Sequence, residues 1–199
     1  MLRTTMLLLT TLFIFTGFPN TAAFSAPADR FIEQLANKAF TSLGQKGISE
    51  KERSDRFTSF LDEAFDLERI GRFTLGRYIR IATTNEKEEF INLFKKFVVQ
   101  AYVNRFKDLS GKTFRVLAAR ELSATNSLVL SELRVKGKPT IKVNWRVITK
   151  DATHKIVDVM IEGISMSVTL RDEFVAVIRK NRGKVGGLIN ALRKKTSSQ

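Results

Sequence analysis

Cysteine is absent from this chain of 199 residues, and histidine occurs only at His154. Without thiols the protein cannot form disulfides, zinc–thiolate centres or a cysteine nucleophile. A catalytic triad would depend on His154, which lies between Asp151 and Lys155 in a stretch that predicts an exposed turn with no catalytic partner. The fold must therefore be held by its hydrophobic core, which a chain of this length can build.

Aromatic residues with a polar atom are also scarce. The chain has one Trp and two Tyr beside sixteen Phe. Because phenylalanine has no polar atom, this set suits burial or contact with acyl chains better than the stacking of nucleic-acid bases. Charge is unbalanced, since 34 Lys and Arg face 20 Asp and Glu, a net charge of +14. A basic surface indicates anionic partners, either nucleic-acid phosphates or lipid head groups.

The first residues of the chain predict a cleaved signal peptide. Arg3 supplies a positive charge, the stretch 6–18 is apolar and broken mainly by threonine, and small residues follow at 21–23. A short membrane anchor is the alternative, but spanning needs about 20 apolar residues. Cleavage after Ala23 or after Ser25 satisfies the small-residue rule equally.

We therefore assign residues 1–25 to the signal peptide and residues 26–199 to the mature domain. Loss of Arg3 leaves a charge of 14 − 1 = +13, because residues 1–25 contain no acid. No later stretch of the sequence is long and apolar enough to predict a membrane span. The mature protein is expected to be soluble in the periplasm, where lipid is a more accessible anionic partner than nucleic acid.

Helical periodicity dominates the first half of the mature domain. The predicted helices span 28–43, 49–65, 66–75 and 85–109. Ser49 and Thr83 begin capping boxes. The longest helix has an apolar stripe wider than one packing face requires, so it is either a well-buried core helix or partly the wall of a cavity. Its cavity candidates are Phe94, Phe97, Val98 and Tyr102.

After Gly111 the apolar period changes from helical to two. The predicted strands span 113–120, 127–135, 140–148 and 155–161, and short connections make them an antiparallel meander. In the third strand Val143, Trp145 and Val147 share one face. Two more helices are predicted at 170–181 and 184–193. Helices, then sheet, then helices predict an α+β fold with a four-to-five-stranded antiparallel sheet and terminal helices.

The segment 155–174 is predicted to pass from strand to helix. Alternation places Ile156, Asp158 and Met160 on one strand face. Gly163 predicts a bulge, a bend or a close backbone approach. Ile164, Met166 and Val168 then resume the alternation, and Thr169 is the predicted N-cap of the next helix.

Two acidic residues of this segment allow a rival interpretation. Asp158 and Glu162 could form the carboxylate pair of an exported enzyme acting on an anionic substrate. For each residue a structural hydrogen bond or ion pair is the favoured role. The glycines at 183, 186 and 187 follow no strand, so they do not indicate a dinucleotide-binding loop.

Two motifs resemble the signatures of one known family. Residues 65–78, FDLERIGRFTLGRY, are followed by DVMIEGISM at 158–166 and RDEF at 171–174, and residues 181–192 fit the family's terminal helix. In this order behind a signal peptide, they resemble the MlaC or toluene-tolerance family of periplasmic phospholipid-binding proteins. The resemblance covers residues 28–193. Ile79, where an aromatic residue is expected, and Arg182, where glycine is common, depart from the pattern.

The resemblance implies a carrier and not an enzyme. Such a protein moves phospholipid between an outer-membrane lipoprotein–porin complex and an inner-membrane ABC transporter with an MCE domain, and so maintains outer-membrane lipid asymmetry. It implies a monomer with no cofactor and no metal, whose cargo is a bound phospholipid. A hopanoid-like lipid remains an alternative cargo.

A cavity is the physical requirement of that function. At about 0.8 kcal/mol per buried CH₂, a 16-carbon chain needs about 12 kcal/mol of apolar shelter, which the sheet and helices could provide between them. The residues predicted to bind lipid are Phe94, Phe97, Val98, Tyr102, Val143, Trp145, Val147, Met160, Ile164 and Met166.

Overall fold

The computed structural model describes residues 27–107, 109 and 111–197. The prediction of a signal peptide at residues 1–25 lies outside these residues. The described α-helices are α1 (Pro27–Lys38), α2 (Glu50–Ala64), α3 (Leu67–Thr74), α4 (Thr84–Tyr102), α5 (Met166–Lys180) and α6 (Val185–Ser197). The described strands are β1 (Lys112–Ser123), β2 (Asn126–Val135), β3 (Ile141–Lys150), β4 (Thr153–Ile161) and β5 (Ile164–Ser165).

The helices begin where the sequence provides side-chain caps. Oxygen atoms of Ser49, Asp66 and Thr83 each accept the backbone N–H three residues on, at 3.0–3.1 Å. Glu86 also accepts the N–H of Thr83, which completes that capping box. These bonds satisfy amides that a helix N-terminus leaves unpaired.

The long helix ends earlier than the periodicity predicted. Helix α4 stops at Tyr102, whose φ is −120°, and a 3₁₀ turn at Val103–Phe106 follows. None of the described helices is long and apolar enough to cross a membrane.

The five strands form one antiparallel sheet in the order β1-β2-β3-β4-β5. This confirms the α+β fold class and the meander, with a short fifth strand at one edge. Helix α1 packs on β1 and β2, while α2, α3 and α5 pack on β4. Helix α4 packs mainly on α6 and also on α3. Helices α3, α4, α5 and α6 pack on one another and are called the helical layer below.

The segment between β4 and α5 differs from its prediction. Glu162 and Gly163 form a two-residue hairpin turn with φ of 49° and 83°, the positive values that such turns require. The space around Gly163 is open within 4 Å, so its role is backbone conformation and not close approach. After the turn only Ile164 and Ser165 remain extended.

Helix α5 therefore begins earlier than predicted. Ser165 is its N-cap and accepts the N–H of Val168 at 3.1 Å. Met166 and Val168 are helical, which makes the predicted strand alternation through them wrong. Thr169 lies in the first turn, where its hydroxyl donates to the Ser165 carbonyl at 2.9 Å, so it is not the N-cap.

Candidate functional site

Cross-strand register defines one apolar face of the sheet, called the inner face below, which packs on the helices. Residues paired directly across strands point to the same side. The face follows from the pairs Val129↔Trp145, Trp145↔Val159 and Val143↔Ile161. Its members include Phe114, Val116, Val129, Ser131, Val143, Trp145, Val147, Ile156, Val159 and Ile161.

Exposure rises along the part of the inner face that β3 and β4 form. Val147 and its partner Ile156 are fully buried at one end. Trp145 and Val159, the middle pair, are partly buried. At the other end Ile161 is 37% exposed. On these two strands the face is thus closed core at one end and open apolar surface at the other.

Trp145 is held in place on this face by its neighbours. Its indole N–H donates to the Ser131 hydroxyl at 2.9 Å, and that hydroxyl donates to the Val143 carbonyl. The Phe114 ring meets the Trp145 ring edge-on, with centroids 6.1 Å apart. Because its polar atom is satisfied, the indole can present an apolar surface without leaving an unpaired donor.

A bulge in β4 decides which of its residues reach the inner face. Arg146 pairs with Asp158 and Val147 with Ile156, so Val157 is an extra residue between the two pairs. Ile156 consequently shares a face with Val159 and not with Asp158, contrary to the predicted alternation. Met160 pairs with Asn144 on the opposite, outer face, away from Val143 and Trp145.

The predicted residues of α4 lie in a different environment. Phe94 and Phe97 pack edge-on against Phe174 of α5, with centroids 6.2 and 5.8 Å apart. Phe94 is 1% exposed, and the Lys195 ammonium lies 5.0 Å from the Phe97 ring centre. Both rings therefore belong to the packed helical layer.

Two further α4 candidates lie towards the end of the same helix. Val98 is buried, whereas Tyr102 is partly buried with the Arg105 guanidinium over its ring at 5.6 Å. Burial raises the pKa of the Tyr102 phenol; nearby Arg105 opposes this shift and Glu173 adds to it. Tyr102 is therefore a neutral, largely apolar surface near neutral pH.

The last two candidates follow the β4–β5 turn in the chain. Ile164 pairs with Ile161 on the inner face and is 64% exposed. Met166 is partly buried as the first residue of α5. The structure thus brings Val143, Trp145, Val147 and Ile164 to one face and leaves the α4 residues in the helical layer.

The acidic residues of the second signature are engaged in structural bonds. Asp158 is buried and accepts from the Ser165 hydroxyl at 2.6 Å and the Ser167 N–H at 3.1 Å. The Glu162 carboxylate accepts the Lys142 N–H at 2.5 Å. The signature therefore builds the hairpin and the start of α5, which explains why these residue types occur at this spacing.

His154 lies on strand β4 and not in the predicted turn. It is partly buried, its ring centroid lies 5.5 Å from that of Phe31, and Nδ1 lies 2.8 Å from the Thr149 hydroxyl. The prediction that His154 is exposed in a turn and has no role is therefore wrong. Its contacts stabilise the β3–β4 hairpin against α1.

A separate open pocket of about 560 Å³ lies where α5 connects to α6. Its lining mixes the polar residues Glu86, Asn181, Lys184 and Asn190 with small and apolar residues, and none of the ten candidates lines it. In residues 27–107, 109 and 111–197, no cluster of three or more His, Asp or Glu could hold a metal ion.

Sequence reasoning missed several members of the inner face. Phe114 and Val116 alternate in β1, and Val159 and Ile161 alternate in β4. The period of two was visible in each strand, so the signal existed. The sequence did not reveal the bulge at Val157, which places Val159 on the inner face and Met160 on the outer face.

Known proteins match both the sequence and the fold of this chain. The sequence model of a family described as "MlaC protein" matches residues 33–194. The "Intermembrane phospholipid transport system binding protein MlaC" of Haemophilus influenzae is 21% identical over 178 residues, covering 84% of this chain and 83% of that protein. A phospholipid-binding protein from Ralstonia solanacearum, solved in complex with a phospholipid, superposes with a TM-score of 0.74 at 22% identity. That match covers 85% of this chain and 97% of the other.

Proposed function

This chain belongs to the MlaC family, and on that premise we propose that it is a periplasmic phospholipid carrier moving lipid between the outer and inner membranes. The observation that carries the proposal is the family match over residues 33–194, which includes both the sheet and the helices packed on it. The superposed protein from Ralstonia solanacearum contains a bound phospholipid within the same fold.

The inner face supplies the chemistry that acyl chains require. Its open end presents Trp145, Val143 and Ile161 without a charged side chain paired among them. Each methylene group buried there contributes about 0.8 kcal/mol of binding free energy. The burial of two acyl chains of ordinary length would therefore offset the free energy needed to separate part of the helices from the sheet. The binding wall we propose is this half-buried part of the inner face, with Tyr102 as a candidate on the helical side.

The proposal includes no catalytic step. The carboxylates of Asp158 and Glu162, the pair that the rival enzyme would need, accept hydrogen bonds from backbone N–H groups and a serine hydroxyl. The proposed partners are an inner-membrane ABC transporter with an MCE domain and an outer-membrane lipoprotein–porin complex. The excess of basic residues, a net charge of 14 − 1 = +13 without Arg3, suits acidic surfaces on such partners and anionic head groups.

Native mass spectrometry tests the cargo. The full-length chain would be expressed with its predicted signal peptide, and the mature protein would be purified from the periplasm without detergent and measured in its folded state. We expect an added mass equal to that of a phospholipid with two acyl chains. A mass matching a hopanoid-like triterpenoid would replace phospholipid as the cargo, and an empty protein that hydrolyses an anionic substrate would favour the carboxylate enzyme.

Substitution tests the wall. In Val143→Asp and Trp145→Asp a carboxylate enters the half-buried apolar face, so the amount of co-purified lipid should fall at least tenfold while the protein stays folded. Asn144→Asp is the matched control, because Asn144 lies between these residues on the outer face. A folded Val143→Asp protein that carries its usual lipid would exclude this wall.

A further inference from the structure

Three connections meet at one end of the sheet, called the turn edge below. The start of β1, the β2–β3 turn and the β4–β5 turn all lie there, because Lys112 pairs with Val135 and Val143 pairs with Ile161. The opposite end holds the β1–β2 and β3–β4 turns. The two ends of one sheet can therefore be compared directly.

The turn edge presents apolar side chains to solvent. Ile161 and Ile164 flank the two-residue turn and are 37% and 64% exposed, and Val168 in the first turn of α5 is 45% exposed. These are branched aliphatic residues with no polar atom on the side chain. Ile161 and Ile164 lie beside the hairpin tip, and Val168 lies in the helix that follows it.

The turn edge is also strongly basic. Lys112, Lys136, Lys138 and Lys142 belong to its turns or strand ends, and the last three are exposed. The acid of the β4–β5 turn, Glu162, is bound to the backbone N–H of Lys142. The opposite end is mixed in charge, with Glu121 and Asp151 beside Arg120 and Lys150.

We propose that the turn edge docks on the surface of an anionic phospholipid bilayer, with Ile161 and Ile164 entering the head-group region and the four lysines contacting lipid phosphates. Aliphatic side chains beside lysines are the combination that binds the interface of an anionic membrane. Three exposed aliphatic side chains offer far less apolar surface than the roughly 800 Å² per partner of a stable protein interface. A bilayer can bind so small an apolar group because its surface adapts to the side chains that enter it.

Docking in this orientation would have a consequence for cargo. Ile161 pairs with Val143, so the turn edge continues directly into the open end of the inner face. A docked protein would present that opening to the lipid, and this consequence alone rests on the proposed carrier function. The docking itself requires no cargo and can be measured separately.

Sedimentation with vesicles tests the docking. The mature protein would be mixed with vesicles of pure phosphatidylcholine or of phosphatidylcholine with 30% phosphatidylglycerol. We expect binding to the anionic vesicles that weakens with added salt. Ile164→Asp should lower the binding constant at least tenfold, and Lys136→Glu with Lys138→Glu at least 25-fold, since each lysine near the surface contributes about fivefold.

Matched controls come from the opposite end of the same sheet. Leu122 is 55% exposed and Lys150 is exposed, so Leu122→Asp and Lys150→Glu make the same chemical changes there. Both should bind vesicles within about twofold of the wild type. All variants should keep the melting temperature of the wild type within a few degrees, because every substituted side chain is solvent-exposed.

Three results would overturn the proposal. The wild type could fail to bind anionic vesicles at low salt, or Leu122→Asp could weaken binding as much as Ile164→Asp does. The turn-edge variants could also bind vesicles normally but lose binding to a purified transport partner, which would assign the edge to a protein. If vesicle binding fails while lipid still co-purifies, the carrier function stands without this dock. If the edge docks but no lipid co-purifies, only the carrier function fails.

Discussion

The helical layer and the open end of the inner face bury apolar side chains to very different degrees. In the helical layer Phe90, Phe94 and Phe174 are at most 4% exposed, and their rings meet at centroid distances of 5.9–6.2 Å. On the inner face Trp145 is only partly buried and Ile161 is exposed. A filled layer supplies stability, whereas incompletely covered apolar surface leaves room for a ligand.

The largest expected effect comes from a charge placed at the closed end of the inner face. Val147→Asp puts a carboxyl group where Val147 is fully buried, which should cost about 5 kcal/mol or more and leave the protein largely unfolded. Val143→Asp, four residues earlier on the same strand face, should stay folded. Circular-dichroism melts of the two variants would measure the difference, and equal melts would mean that the face has no open end.

Removal of one ring from the helical layer should have the next largest effect. Phe174→Ala deletes the side chain that three phenylalanines of α4 contact, so the free energy of unfolding should fall by about 3–5 kcal/mol. Denaturant unfolding measures it. Phe114→Ala at the half-buried face is the comparison and should cost clearly less; a similar loss would show that both regions are packed equally.

Two glycines extend the comparison to the backbone. A Cβ at Gly187 would lie 2.3 Å from the Cβ of Asn181, so Gly187→Ala should destabilise the helical layer by about 1–3 kcal/mol. A Cβ at Gly163 would have no atom within 4 Å, so Gly163→Ala should lower the free energy of unfolding only through the strain of its positive φ, by about 1 kcal/mol. Thermal melts of the two variants would measure the difference. A larger loss of stability for Gly163→Ala than for Gly187→Ala would show that backbone strain outweighs steric crowding.

The smallest expected effect concerns the support of Trp145. Ser131→Ala removes the acceptor of the indole N–H, and because Trp145 is only partly buried, unfolding stability should fall by only about 1 kcal/mol. Lipid retention should fall more noticeably than stability, since the ring loses its fixed orientation. Intrinsic Trp fluorescence, which here reports a single residue, would follow that change; an unaltered spectrum would count against the anchoring role.

Much of the fold was predictable because its signals are local. Capping residues at Ser49 and Thr83 mark helix starts by hydrogen bonds to amides three residues on. Alternating residues in β3 place Val143, Trp145 and Val147 on one face through the geometry of an extended chain. The start of α5 was predicted wrongly, because Ser165 and Thr169 are both suitable caps and only the hairpin turn selects Ser165.

The candidate site was predictable only in part. Whether Phe94 lines a cavity or packs against Phe174 depends on which helices meet it, and an apolar stripe has the same sequence in either case. The binding role of the ten candidates stays a prediction. We propose that Val143 and Trp145 on the half-buried inner face belong to the binding wall, with Tyr102 as a candidate on the helical side, because a side chain that is not already enclosed can contact a ligand without displacing the core.

The sequence by itself determined the α+β class, the strand order of a meander, the basic character and the family. Each of these depends on composition, local period or motif, which act over a few residues. Only the tertiary structure decided that Val157 bulges, that Val159 and not Met160 joins Trp145, and that apolar exposure rises towards the β4–β5 turn. Register and coverage depend on pairing with residues distant in the chain, and no local pattern specifies them.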